Sequence, residues 1–247
     1  MMRCAPAPRA LIGLLAVLTL ATARPAAAQQ VTTDASFVVR LSVATLAAIA
    51  LDGRTGGGRY DVTGELSTRG IVSALSDVHY LGKARGSQAG NRFRPARYDE
   101  TVTEGGDSKI GALAYSGGVP RPEGFKAEER GDDALAVEGQ ADTVDPLTAI
   151  FMVLRDQPPE EVCPPLRQFV FDGERRTVVE LTRVTETADQ IVCGGQFRRI
   201  AGYPSDARKG QRQVLALEVT YARAGAVMQA QQVRLMTDYG PATLTRQ

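Results

Sequence analysis

The chain has 247 residues, and its 29 Lys and Arg residues nearly balance its 28 Asp and Glu residues. This near-neutral charge argues against a nucleic-acid partner, which would be held by neutralisation of phosphates. The length suits one well-packed all-β domain or two small domains.

The first 28 residues have the three parts of a secretory signal peptide. Arg3 and Arg9 precede an apolar run over residues 10–21, and a row of small residues ends at Ala28. The apolar run is shorter than the roughly 20 residues that a membrane-spanning helix needs, and no second run is long enough. We therefore expect cleavage after Ala28 and a single β-rich periplasmic domain over residues 29–247, not an integral membrane protein. An uncleaved amphipathic anchor is the alternative.

The cysteines indicate a disulfide. Cys4 lies in the predicted signal and precedes its apolar core, so it is not a lipid-modified cysteine. Removal of the signal leaves Cys163 and Cys193, and an isolated pair in an oxidising compartment is normally bonded. A redox-active pair would need Cys-x-x-Cys spacing or an activated thiolate. We predict a structural Cys163–Cys193 disulfide.

Period-two alternation predicts strands in the first third of the mature chain. Residues 37–51 read as one long strand, and turns are predicted at residues 52–53 and 56–58. Further strands are predicted over residues 60–66 and 71–81. Strands joined by such short glycine turns must be antiparallel neighbours.

After a predicted turn at residues 86–91, residues 92–98 read as an extended edge, because Pro95 cannot donate to a central ladder. This segment interleaves cations with aromatics, namely Arg92, Phe93, Arg94, Arg97 and Tyr98. Such a pattern suits anionic lipid headgroups or a polyanion, and it equally suits an edge guarded by charge. Residues 109–115 and 124–128 read as short strands between loops.

One helix is predicted at about residues 145–156. Asp145 is a favourable N-cap and Pro146 suits the first helical position. One apolar stripe follows at helical spacing, formed by Leu147, Ile150, Phe151 and Leu154. Prolines 158 and 159 end the helix. An amphipathic helix of this kind should cover the concave apolar face of the sheet.

The last third of the chain reads as strands again. Residues 169–171 and 177–181 form a predicted hairpin through Asp172 and Gly173. Residues 208–212 resemble a basic hairpin tip, and more strands are predicted at 191–193, 197–203, 214–221 and 227–236. The predicted fold is mainly β: a strongly curved antiparallel sheet wrapped around one central α-helix, as a β-spiral, half-barrel or open barrel.

Several short segments carry a family resemblance, namely residues 70–72, 95–98, 145–150 and 171–175. With the signal peptide, they resemble the domain of unknown function 3108 family of exported proteobacterial envelope proteins. In plan the chain is similar to periplasmic envelope-integrity proteins of alphaproteobacteria, which have a curved spiral or half-barrel sheet and a disulfide near the C-terminal half. The resemblance implies a role in the cell envelope without assigned enzymatic activity, and it carries over no catalytic residue.

Residues that could carry chemistry are few. His79 is the only histidine, and no Gly-x-Ser-x-Gly elbow accompanies it. A zinc site lacks ligands, and the acids at 132–133, Asp142 and Asp145 lack the spacing of an EF-hand calcium loop. The glycines at 56–58 are not followed by the Lys-Ser or Lys-Thr of a phosphate-binding loop. We expect no catalytic residue, metal or cofactor.

Three functions follow as hypotheses. The first is a non-enzymatic periplasmic protein that supports the envelope through an unknown partner protein or envelope polymer. The second is a carrier of lipid or another apolar ligand in the concave face of the sheet, which requires that the helix leave room for the ligand. The third is a hydrolase that uses His79. The oligomeric state stays open.

The mature protein is expected to begin at Gln29, because Ala26 and Ala28 form the small-residue signature of a cleavage site. N-terminal sequencing of the protein from a periplasmic fraction tests this expectation. A chain that still begins at Met1 would contradict cleavage.

Overall fold

The computed structural model describes residues 30–70, 73–74, 76–205 and 211–247. The predicted signal peptide therefore lies outside the described residues. The described chain is mainly β, as predicted. Its strands are β1 (Val31–Leu41), β2 (Ala44–Gly56), β3 (Arg59–Thr68), β4 (Val78–Ala89), β5 (Arg92–Glu104), β6 (Asp107–Ser116), β7 (Val119–Gly124), β8 (Thr143–Val144), β9 (Leu166–Phe171), β10 (Arg176–Glu186), β11 (Gln190–Ala201), β12 (Val214–Ala224), β13 (Val227–Thr237) and β14 (Gly240–Arg246). Two α-helices are described in full, α1 (Phe125–Glu128) and α2 (Pro146–Leu154).

All these strands belong to one sheet, in the order β7-β6-β5-β4-β3-β2-β1-β14-β13-β12-β11-β10-β9-β8. Two meanders make up the sheet, and they join where the first strand pairs with the last, with Phe37 opposite Arg246. Every pairing is antiparallel except the short parallel pairing of β8 with β9. The two halves of the chain thus form one continuous surface.

The sheet is barrel-like and nearly closed, and the segment between β7 and β8 bridges its two edges. The Lys126 ammonium donates to the Asp172 carbonyl at 2.5 Å, and the Leu135 N–H donates to the Glu174 carbonyl at 2.9 Å. Strand β8 also contacts β5. The bridge connects the first meander to the hairpin between β9 and β10.

The predicted long strand over residues 37–51 is wrong, because it is two strands joined by a tight turn. Strand β1 ends at Leu41 and β2 begins at Ala44. A two-residue turn would reverse which positions face inward, but a bulge opposite Val39 and Arg40 inserts Leu46 as an extra residue and restores the parity. Period two therefore runs unbroken through the turn, and the alternation cannot reveal it.

The turn predicted at residues 52–53 is also wrong, since both residues lie inside β2. Close packing requires glycine at position 53, because an added Cβ would lie 2.7 Å from Cε2 of Phe151. The turn predicted at residues 56–58 is confirmed, and Gly57 and Gly58 adopt the positive φ angles of 57° and 75°.

The predicted edge strand at residues 92–98 is wrong, because β5 pairs with both β4 and β6. Pro95 is tolerated inside the sheet because the ladder shifts register opposite it, between Arg85 and Gly86. The turn predicted at residues 86–91 is shorter than expected, since β4 continues to Ala89.

Other strand predictions have mixed outcomes. Strand β6 confirms the strand at residues 109–115, whereas the strand at 124–128 is wrong, because residues 125–128 form α1. The strand predicted at residues 71–81 is wrong in its first part, because residues 73–74 are helical and β4 begins only at Val78. Residues 71, 72 and 75 lie outside the described residues. Residues 208–210 of the predicted basic tip at 208–212 also lie outside the described residues. The hairpin of β9 and β10 is confirmed.

Helix α2 confirms the predicted helix and its cap. The Asp145 carboxylate accepts the backbone N–H of Thr148 at 2.8 Å, which satisfies one of the unpaired donors of the first turn. The helix ends at Leu154, two residues before the predicted end. Most of the predicted stripe is buried, but Ile150 remains 41% exposed, so its assignment to that buried stripe is wrong.

Hydrogen bonds join α2 to strands from both meanders. The Tyr60 hydroxyl, on β3, lies 2.8 Å from the Thr148 hydroxyl. The Tyr221 hydroxyl, on β12, donates to the Val153 carbonyl at 2.7 Å. Leu147, Phe151 and Leu154 belong to the hydrophobic core formed with the sheet.

The predicted disulfide is present between Cys163, after α2, and Cys193 on β11, and both residues are buried. The bond closes a loop with a sequence separation of 30 residues. A loop of this size removes about 3 to 4 kcal/mol of unfolded-state entropy. The segment that follows α2 is thereby tied to the second meander.

Asp145 should make stability depend on pH. Its carboxyl group is fully buried, and desolvation raises its pKa from 3.8 to about 6 despite the hydrogen bonds from Thr148. The folded state therefore binds this proton more tightly than the unfolded chain does. The contribution to the free energy of unfolding is greatest below pH 4 and falls, by on the order of 1 to 3 kcal/mol, as the pH rises through 6.

Urea unfolding of the wild type and Asp145→Asn at pH 4.5 and pH 7 measures this contribution. Asparagine keeps the cap but has no proton to exchange in this range. We expect the free energy of unfolding of Asp145→Asn to fall less between pH 4.5 and pH 7 than that of the wild type. The same change of stability with pH in both proteins would refute the assignment.

Candidate functional site

A cavity of about 370 Å³ lies between α2 and the sheet. Its size is within the range of small-molecule sites, about 300–1,000 Å³. From the helix it is lined by Pro146, Ala149, Ile150, Val153 and Leu154. Most of the facing wall is apolar and comes from six strands, through Ile49, Val170, Val179, Leu217, Val233 and Leu244.

The helix forms one wall of this cavity because nearly every residue of α2 is apolar. Leu147 and Phe151 face the core, which leaves Ile150 and Val153 on the side of the cavity. On the opposite wall, Val179 and Leu217 are only partly buried. Covering such surface with an apolar ligand is favourable by about 25 cal/mol per Å².

Polar groups in the cavity wall are concentrated near the turn between β9 and β10. Asp172, Arg175 and Tyr203 all line the cavity there. The Asp172 carboxylate accepts the backbone N–H groups of Glu174 and Arg175 at 2.9 and 2.7 Å, which fixes the turn. The guanidinium carbons of Arg175 and Arg199 lie 5.5 and 5.7 Å from the centre of the Tyr203 ring. Partial burial raises the pKa of the Tyr203 hydroxyl.

A second cavity, of about 800 Å³, lies near the seam of the barrel and includes Arg92 and Arg94. The arginines are exposed whereas Phe93 is buried, so the interleaved pattern in this part of the sequence is the alternation of strand faces. Neither arginine forms a side-chain hydrogen bond or ion pair with another described residue. The Tyr115 hydroxyl, from the wall of this cavity, is buried without a hydrogen-bond partner in the described chain.

The rest of that cation-aromatic segment belongs to other interactions. Arg97 pairs with Asp99 at 2.8 Å and Glu123 at 3.0 Å. The Tyr98 hydroxyl donates to the buried Glu100 carboxylate, which also pairs with Lys126 at 2.8 Å. The sequence gives no signal of this buried network, because Glu100 and Lys126 are far apart in the chain.

The residues considered for catalysis or metal binding do not converge. His79 is exposed on β4, opposite Ser67 and Thr103, and it lines neither cavity. Asp142 pairs with Arg176 at 2.7 Å, while Asp145 caps the helix. Within the described ranges, no group of three or more His, Cys, Asp and Glu residues could hold a metal ion.

Fold and cavity together define a barrel-like β protein with an apolar cavity beside its longer helix. The family model described as "Protein of unknown function (DUF3108)" matches residues 34–239. The chain belongs to this family, which confirms the resemblance noted in the sequence.

Comparison with solved structures gives a likeness of fold. The chain is similar to a β-barrel-like protein of domain of unknown function DUF1849 from Brucella abortus, with a TM-score of 0.53 and 11% sequence identity. The match covers 90% of this chain and 98% of the other. No curated protein sequence matches the chain. None of the described helices is long and apolar enough to cross a membrane.

Proposed function

We propose that this chain is an exported, non-enzymatic carrier that binds an apolar ligand between α2 and the sheet. The observation that carries the proposal is the apolar cavity of about 370 Å³. The carrier hypothesis requires that the helix leave space inside the curved sheet, and this cavity is such a space. His79 is not among its lining residues, which weakens the hydrolase alternative.

The arrangement of helix and sheet supports this proposal. In the proposed carrier, the sheet wraps around α2 as a central helix. Hydrogen bonds of Thr148 with Tyr60 and of Val153 with Tyr221 hold that helix from both meanders. A helix fixed in this way keeps Ile150 at the cavity instead of letting it collapse into the core. A preformed apolar site is typical of small-molecule binding proteins.

Export is the second part of the proposal. The sequence of residues 1–28 has the pattern of a cleaved signal peptide. The Cys163–Cys193 disulfide suits an oxidising compartment such as the periplasm. A periplasmic carrier would shield acyl chains or similar apolar groups from water between the membranes.

Filling the cavity should abolish binding of an apolar probe. Ile150→Trp adds bulk at a position that lines the cavity and is 41% exposed, so the core should be preserved. Ile110→Trp is the matched control, because Ile110 is 70% exposed on β6 and does not line the cavity. We expect Ile150→Trp to weaken binding of N-phenyl-1-naphthylamine at least tenfold and the control to bind like the wild type.

Fluorescence titration measures the affinity, and thermal melts confirm that both variants fold. Native mass spectrometry of gently extracted wild-type protein adds a test for cargo. Absence of probe binding by the wild type, or equal binding by the Ile150→Trp variant, would refute the proposal.

The second cavity, which Arg92 and Arg94 line, favours another candidate function. In this candidate, the chain supports the cell envelope by binding an anionic envelope polymer. Arg92 and Arg94 line this cavity and pair with no acid among the described residues, and guanidinium groups bind carboxylates and phosphates well. This candidate does not depend on the apolar cavity, so the two can be tested separately.

Complementation of a deletion strain separates them. On the polymer hypothesis, the deletion sensitises cells to detergents and cell-wall antibiotics, wild type and Ile150→Trp restore resistance, and the double variant Arg92→Gln/Arg94→Gln fails to do so. Immunoblots control for protein level. Full rescue by the arginine double variant would contradict the polymer hypothesis.

A further inference from the structure

We infer that the ligand of the apolar cavity is a single-chain amphiphile with a carboxylate head, that is, a long-chain fatty acid, whose head is bound by Arg175 and Arg199. This inference rests on the proposed carrier function and specifies the chemistry of its ligand. The juxtaposition that carries it is an apolar cavity whose one polar margin includes the Arg175 guanidinium, with the Arg199 guanidinium against the same Tyr203 ring.

The two cations contact the same aromatic ring. Both guanidinium carbons lie within 6 Å of the centre of the Tyr203 ring, the distance at which a cation is attracted to a ring face. Tyr203 itself lines the cavity. The ring therefore contacts Arg175 where the apolar wall ends, and a second cation, Arg199, contacts the same ring.

The acids nearby leave Arg175 available, whereas one N–H of Arg199 already donates to the Arg212 carbonyl at 3.0 Å. One Asp172 oxygen already accepts two backbone N–H groups in the turn. Glu174 accepts the N–H of Gly131 at 3.0 Å. Its Oε2 atom lies 3.9 Å from Nη2 of Arg175, which is beyond hydrogen-bond distance. The Arg175 side chain makes no hydrogen bond to another described residue, so its fork of donors is open to a carboxylate. Arginine binds carboxylates with two parallel hydrogen bonds.

The cavity also favours one chain over two. Its volume of about 370 Å³ is near the lower end of ligand sites, which extend to about 1,000 Å³. Except at the polar margin, its wall offers almost only aliphatic groups, from residues such as Ala149, Val153 and Leu217. One acyl chain with a single charged head matches this distribution of polar and apolar groups.

Displacement of bound N-phenyl-1-naphthylamine by hexadecanoate and by hexadecanol tests the inference, because the two compounds share a chain and differ in the head. We expect the wild type to prefer the acid at least tenfold. Arg175→Gln should lower the affinity for the acid about tenfold and leave that for the alcohol unchanged, and Arg199→Gln should act in the same direction. Arg234→Gln, on an exposed position of β13 away from the cavity, is the control and should match the wild type.

Each outcome has one meaning. Equal affinity of the wild type for acid and alcohol, or an unchanged acid affinity in the Arg175→Gln variant, overturns the fatty-acid inference while probe binding leaves the carrier function standing. If neither the probe nor either compound binds, the carrier function fails together with the inference. Loss of the preference at high salt would support an ionic contact at this exposed margin.

Discussion

The close approach of α2 to the first meander is the constraint on which the other features depend. An added Cβ at Gly64 would lie 2.6 Å from Leu147 Cδ1, and one at Gly53 would lie 2.7 Å from Phe151. Only glycine lets the helix pack so close to β2 and β3. The second meander offers larger side chains such as Val179 and Leu217, and there the helix stands off. The cavity therefore lies mainly against the second meander, and Ile49 on β2 completes its wall.

The end of the helix is fixed where the two meanders meet. Asp156 pairs with Arg246 on β14 at 2.8 Å, with both side chains more than nine-tenths buried. The same carboxylate accepts from Gln229 at 2.7 Å, and the Asp156 N–H donates to the Thr33 hydroxyl on β1. A buried carboxylate with such partners holds the chain in one position, since loss of Arg246 would leave the buried Asp156 charge unpaired. The cavity wall is thus anchored at both ends of α2.

Patterns of neighbouring residues predicted the helix well. Patterns that predict strands and turns failed where a residue is required by a contact with a distant part of the chain. Asp145 and Pro146 specify a helix start through groups a few residues apart, so one sequence suffices to find it. Gly53 reads as a turn residue, but it serves the contact with Phe151, which is almost a hundred residues away. Leu46 restores the parity of β2 through a bulge, which no alternation pattern can show.

The cavity itself could not be predicted, for a similar reason. Helical spacing places Ile150 in the same stripe as Leu147, but which apolar residues reach the core depends on how closely each strand approaches the helix. Whether the helix fills the space inside the sheet depends on the volumes of side chains that come from distant strands. The polar margin likewise combines Arg175 and Tyr203, which meet only when β10 and the end of β11 are paired.

An apolar cavity of this kind is unfavourable for an unliganded protein. Side chains such as Ile150 and Val233 lose part of the dispersion contacts that a filled core would provide. The fold withstands this because the disulfide, the caps of α2 and the joined meanders stabilise the barrel independently of the cavity. A ligand that occupies the space binds the native state and not the unfolded chain, so it adds its binding free energy to stability. Binding and stability are therefore coupled through the same wall of α2.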